Sequence, residues 1–238
     1  MTFRFPGGDA RTTVLGATGT GKTTCGLWLL SHQRWDKRPW VAFDFKKEII
    51  FDQVGFPPIQ PLKLTDAPPK RPGLYLVSPL PGQGELLERF LWRLWARGNC
   101  GVYIDEAALM PDGDAFPAIL QQGRSKRIPV IGCSQRPVGV ARGMFSEASY
   151  FCVYRLTDKR DYRLVEGFAP IDGAMPLPSH AWHWYDVASN ELLAMSAVPK
   201  PELVAHRLRE LIPYKPNHWH PFGWTSRPTA PGRLKLVA

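Results

Sequence analysis

Eight residues constrain this chain more than any others: Gly16-Ala17-Thr18-Gly19-Thr20-Gly21-Lys22-Thr23. They match the pattern G-x-x-x-x-G-K-[ST] at every fixed position. Residues 12–16 before the turn read as a short strand. The apolar run from residue 23 to about 35 reads as a helix. Strand, glycine turn and helix N-terminus in that order make a phosphate cradle. The glycines let successive backbone N–H groups face phosphate oxygens with no side chain in the way. The positive end of the helix adds to the attraction. Gly16, Ala17, Thr18, Gly19, Thr20, Gly21, Lys22, Thr23 and Thr24 are therefore the expected ATP-binding set. Lys22 is expected to reach the β- and γ-phosphates, and the Thr23 hydroxyl to ligate Mg²⁺.

Around the cradle, strands and helices alternate. Strands are expected over 39–45, 73–79, 100–106, 128–135 and 148–156, and helices over 84–98, 116–125 and 160–168. In 84–98, Leu87, Phe90, Leu91, Leu94 and Trp95 fall on one helical face and Arg89, Arg93 and Arg97 on another. Apolar strands alternating with helices predict an α/β fold. Its sheet would be mostly parallel and covered by helices on both faces. Residues 182–198 alternate as a hairpin with its turn near 188–190. A short amphipathic helix is expected in "ELVAHRLRELI", followed by a tail rich in Pro, Trp and His. The expected organisation is an ATPase domain over 1–198 and a basic extension over 199–238.

The 24 prolines are about twice the usual share. They cluster in 56–81, 170–178 and from 199 onward, and read as linking or draping segments. The net charge is +9. A basic surplus fits a nucleic acid, an anionic membrane or simply a basic soluble enzyme. The extension contributes seven basic residues against two acidic ones. Residues 1–6 have no leader-like apolar core, and no run of about 18 apolar residues occurs, so no membrane span is expected. Cys25, Cys100, Cys133 and Cys152 form no C-x-x-C pair and read as reduced core residues. His180/His183 and His218/His220 have metal-like spacing. They lack a cysteine or acidic partner at zinc-site spacing, so metal binding is not favoured.

A phosphate cradle needs an acidic partner at the tip of a neighbouring strand. Asp105 and Glu106 end the apolar run "VYIDE". Asp105 is the expected second Mg²⁺ ligand. Glu106 beside it can act as general base toward water. A small-molecule kinase has no use for that glutamate, because its nucleophile is the substrate. The pair therefore favours hydrolysis. Gln135 follows the strand over 128–135 and is placed to hydrogen-bond a γ-phosphate or water. Arg124, Lys126 and Arg127 end the helix before that strand. They read either as a solvated helix end or as an arginine finger for a neighbouring subunit.

"GATGTGKT", "VYIDEA", "QGRSKRIPVIGCSQRP" and "FDFKKE" together resemble the FtsK–HerA superfamily of DNA-pumping ATPases over residues 12–168. The small size and the lack of an anchor resemble its genome-packaging members from tailless, internal-membrane viruses. The resemblance implies a RecA-like core in a homohexameric ring around double-stranded DNA, working in the host cytoplasm or at a packaging vertex of the virion. It implies Arg124 as the in-trans arginine finger, with Arg127 as fallback, and Gln135 as sensor. Asp44 and Lys46 echo the family's acidic-basic motif, with Lys47 leaving the register open. Cellular members carry extra domains for which this chain has no room. Its tail is instead expected to meet a capsid protein, a viral membrane protein or an adjacent subunit. DNA contact is expected in loops 109–116 and 138–145, the second offering Arg142; an ordinary surface loop is the other reading. The alternatives are a conjugation-like or HerA-like cellular DNA pump, a P-loop phosphotransferase, and a non-translocating assembly factor.

Overall fold

The computed structural model describes residues 3–171 and 177–214. The His218/His220 pair and the aromatic tail lie outside the described residues. Among the described residues nine strands form one sheet: β1 (Arg11–Leu15), β2 (Pro39–Phe43), β3 (Ile59–Pro61), β4 (Gly73–Val77), β5 (Gly101–Ile104), β6 (Val130–Ser134), β7 (Tyr150–Val153), β8 (Trp182–Asp186) and β9 (Glu191–Met195). Their spatial order is β3-β4-β2-β5-β6-β1-β7-β8-β9. All pairs from β3 to β7 are parallel. The hairpin β8–β9 then adds two antiparallel strands at the β7 edge. The α/β sheet expected from the alternation of elements is therefore present, with the β1–β7 register running from Thr12 opposite Tyr150 to Leu15 opposite Val153.

Among the described residues seven helices cover the two faces: α1 (Lys22–Ser31), α2 (Ile49–Val54), α3 (Gly84–Arg97), α4 (Ala115–Gln122), α5 (Gly143–Ser146), α6 (Lys159–Glu166) and α7 (Pro201–Leu211). Successive residues of a strand point to opposite faces. Val41 and Phe43 of β2, and Val102 and Ile104 of β5, meet the apolar stripe of α3 and α4. Ala42, Tyr103, Ile131 and Cys133 face the other way, against α1, α2 and α7. On α3, Leu87, Phe90, Leu91 and Leu94 are buried as its 3.6-residue period requires.

Two segments differ from the sequence expectation, and an expected helix proves to pack into the core. Residues 46–72 contain α2 and the short edge strand β3, where only a draped crossing was anticipated. Pro61 is tolerated in β3 because that strand pairs on one side only, with β4. Residues 143–146 form a helical turn whose Met144 and Phe145 are buried, so only the first part of loop 138–145 is open. The extension expected from residue 199 begins with α7, whose Val204, Ala205 and Leu208 pack into the same core as α1 and α2. All four cysteines are free and buried. Burial pushes the Cys100 thiol up to about 12 and also raises Cys133 and Cys152, which keeps them neutral.

Candidate nucleotide site

Parallel strands all end on one side of their sheet, so the residues after β1, β2, β5, β6 and β7 converge there. The glycine turn leaves β1 pinned from both sides. Gly16 N–H donates to the Ser134 carbonyl at 3.2 Å, and Ala17 N–H to the Arg155 carbonyl at 3.1 Å. A Cβ on Gly16 would stand 2.6 Å from Tyr154 Cβ and 2.6 Å from Thr20 Oγ1, so the turn begins where only glycine fits. Gly21 precedes α1 at φ 98°, a left-handed conformation that glycine adopts without strain. No side chain caps α1, which leaves its first-turn N–H groups for a ligand. A cavity of about 600 Å³ opens there, lined by residues 18–24, by Glu48, Gln135, Tyr154 and His180, and by residues 197–201. Its size suits a small ligand such as a nucleotide.

Lys22 is buried beneath this opening. Burial holds its ammonium below the usual lysine range, and the positive charge of Lys46 adds to that. An anion in the cavity would restore it. Thr23 and Thr24 line the same cavity.

Asp105 and Glu106 follow β5 and are both buried. Asp105 accepts from Phe45 N–H at 3.1 Å and from Lys46 N–H at 3.2 Å, which ties the β2 tip to the β5 tip. Burial, reinforced by the charges of Asp44 and Glu48, pushes its carboxyl up to about 7. Asp44 is raised by burial too, while its Oδ1 accepts from Glu48 N–H at 3.0 Å. This buried acidic corner fits a divalent cation. Among the described residues no three His, Cys, Asp or Glu side chains form an all-protein metal cage.

Glu106 is held by three donors. Ser134 Oγ–H reaches its Oε1 at 2.6 Å, Gln135 N–H the same oxygen at 3.1 Å, and Lys46 Nζ its Oε2 at 2.5 Å. Gln135 in turn accepts from Thr18 Oγ–H at 3.2 Å, so the β6 tip bridges the glycine turn and the acidic pair. Of the two adjacent lysines, Lys46 carries the ion pair with Glu106.

Arg124 stands apart. It lies between α4 and the start of β6, with Nε 3.8 Å from Asp9 Oδ2 and a side chain 78% exposed. Lys126 sits over the Trp95 ring at 3.8 Å, and the Arg127 carbonyl accepts from Arg38 Nη1–H at 2.7 Å. All three lie before β6, at the N-terminal end of the parallel strands, a strand length of about 16 Å from the end that carries the glycine turn. Neither Arg124 nor Arg127 joins its own chain's nucleotide site. In loop 109–116, Leu109 is exposed while Met110 and Phe116 turn inward. In the other loop Arg142 is exposed, and Val138 N–H donates to the buried Asp161 Oδ1 at 3.1 Å.

Two residues and one short segment of the site went unassigned from the sequence. Ser134 precedes Gln135 and could have been read from the same strand tip. His180, whose Nδ1 lies 3.2 Å from the Thr20 carbonyl, reaches the turn from 160 residues away and has no local motif. Residues 197–201 reach the cavity only because the β8–β9 hairpin folds back beside β7.

No protein-family model matches the chain. It is 37% identical over 219 residues to the DNA packaging ATPase P9 of Enterobacteria phage PRD1, covering 87% of this chain and 95% of that protein. Its fold is similar to that of the genome packaging NTPase B204 from Sulfolobus turreted icosahedral virus 2, solved in complex with AMPPCP. That match has a TM-score of 0.60 and 17% identity over 81% of this chain and 100% of the other. The pCW3 conjugation coupling protein TcpA, solved with ATPγS, matches at TM-score 0.54 and 13% identity over 86% of this chain and 65% of its own.

Proposed function

This chain belongs to the family of the DNA packaging ATPase P9 of phage PRD1, and from that premise we propose that it hydrolyses ATP to drive double-stranded DNA into a viral capsid, as one subunit of a homohexameric ring. The observation that carries the reading is the place of Glu106. It is a buried carboxylate one residue past Asp105, on a strand tip joined through Gln135 to the glycine turn. A carboxylate there serves water as nucleophile; a phosphotransferase would need an acceptor site in its place.

In this reading the N–H groups of residues 16–24 hold the phosphates, and Lys22 places its ammonium on the β/γ bridge. Thr23 and Asp105 would hold Mg²⁺, which supplies charge neutralisation to the phosphates. Glu106 accepts a proton from the water that attacks the γ-phosphorus, and ADP leaves. Gln135 senses the γ-phosphate through its amide and passes the change to Thr18. Arg124 serves the neighbouring subunit's site, which its exposed position at the strand end away from its own glycine turn supports. Residues 138–142, with Arg142, grip the DNA backbone through phosphate contacts. These carry no sequence information, as packaging of a whole genome requires. The basic tail from residue 215 docks on a capsid or viral membrane protein at the packaging vertex. No helix among the described residues is long and apolar enough to cross a membrane.

The test is ATP hydrolysis with and without long double-stranded DNA, alongside the mass of the assembly. DNA is expected to stimulate turnover severalfold in a six-subunit species. Hydrolysis indifferent to DNA, or phosphate transfer that needs a metabolite acceptor, would refute the proposal.

A further inference from the structure

Lys46 makes the closest polar contact to Glu106, and hydrolysis as described gives it no part. Its backbone N–H is fixed on Asp105 Oδ2 at 3.2 Å, while its ammonium caps Glu106 Oε2 at 2.5 Å. The Glu106 side chain is 7% exposed and that of Lys46 29%, so the cation lies on the solvent side of the carboxylate. The other oxygen, Oε1, is taken by Ser134 and Gln135. A general base must stand within hydrogen-bond reach of the water it deprotonates. Oε2 carries the Lys46 ammonium and a longer contact from Gln135 N–H at 3.4 Å. In this state both carboxylate oxygens of Glu106 are engaged by donors of the protein.

The second anion that the site is built to receive is a γ-phosphate. Lys22 lines the cavity at the glycine turn, while Lys46 holds Glu106, whose other oxygen is joined through Gln135 to Thr18 of that turn. A lysine head is a compact charge on a flexible four-carbon stem with three donors. It can turn from one anion to another while its backbone stays on Asp105. We propose that Lys46 is a nucleotide-operated latch on Glu106. It pairs with the carboxylate when the γ-position is empty and moves to the γ-phosphate oxygens when ATP binds, which uncovers Oε2 for water. The latch rests on the reading of Glu106 as the general base. Lys46 is then a positioning residue for Glu106 and a discriminator of ATP from ADP. An empty or ADP-filled site keeps its base capped, and hydrolytic competence appears only with a γ-phosphate in place.

The test is a binding cycle on the full chain, by calorimetric titration with Mg²⁺ plus either ADP or a non-hydrolysable ATP analogue. Lys46→Met is expected to weaken the analogue about tenfold, equivalent to about 1.4 kcal/mol. It should leave ADP within about twofold. Lys46→Arg, which keeps the charge, is expected to recover most of the loss. Glu106→Gln cannot hold the ammonium as an ion pair, so it is expected to bind the analogue severalfold tighter than the unaltered chain. That gain should vanish in the double variant Lys46→Met/Glu106→Gln. If the gain persists without Lys46, it came from removing carboxylate–phosphate repulsion, and the latch is wrong. An unchanged ratio of analogue to ADP affinity in both Lys46→Met and Lys46→Arg also overturns it, and then the reading of the site as an ATPase still stands. If the unaltered chain binds neither nucleotide, that reading falls together with the latch. Thermal melting of each variant shows that it is folded.

Discussion

Gly16→Ala tests whether the start of the phosphate turn is set by packing. The added Cβ would lie 2.6 Å from Tyr154 Cβ and 2.6 Å from Thr20 Oγ1. Comfortable carbon contacts lie at about 3.5–4.0 Å, so something must move by about 1 Å. Tyr154 resists. It is 2% exposed, its N–H donates to the Leu15 carbonyl at 2.8 Å, and its ring stacks on Trp182 at 6.0 Å. Gly16 resists as well, because its own N–H and that of Ala17 are bonded to the tips of β6 and β7. Thr20 is the softest partner, since its hydroxyl bonds only within the turn, to Ala17. Overpacking of this kind costs about 1–3 kcal/mol. For a chain of this length each kcal/mol lowers Tm by about 2–4 °C, so a fall of about 2–12 °C is expected by scanning calorimetry. The displaced Thr20 distorts the cradle, and ATP affinity by titration should drop about tenfold, or about 1.4 kcal/mol. Gly84→Ala is the control, because a Cβ there meets nothing within 4 Å and the position opens α3. It should leave both quantities unchanged or raise Tm slightly. Gly16→Ala with the Tm and ATP affinity of the unaltered chain would refute the reasoning.

The remaining expectations concern the chemistry. Lys22→Ala should abolish ATP binding in a filter or titration assay. Glu106→Gln should keep binding but lower steady-state turnover by about 10²–10⁴; loss of binding in Glu106→Gln would contradict its assignment as base. Arg124→Ala subunits mixed into unaltered assemblies should depress hydrolysis more steeply than their mole fraction, and a proportional decline would count against action on a neighbour's site.

Much of the site was legible because its residues sit in short, contiguous pieces. A complete glycine turn between strand and helix admits few other structures. Asp105-Glu106 and Ser134-Gln135 each end an apolar run of strand length, and a parallel sheet brings such ends together whatever their order. The segments that could not be read this way depend on contacts between distant parts of the chain. β3 is three residues long and carries a proline, so nothing local marks it as a strand. α5 is a single turn, formed because Met144 and Phe145 find the core. α7 was expected as a helix, but its burial against α1 and α2 follows from side chains more than 150 positions apart.

From its sequence alone this protein was bound to hold a phosphate at the end of a buried strand and to offer a carboxylate pair at another. Those features are local, set by backbone freedom at glycine and by the alternation of apolar residues. Only the tertiary structure decided which lysine meets Glu106, which strand tip carries its other donors, and that Arg124 lies beyond reach of its own nucleotide cavity. Each of these depends on strand order and on the direction in which each helix returns across the sheet. No stretch of sequence contains that information, because it arises when elements far apart in the chain share one core.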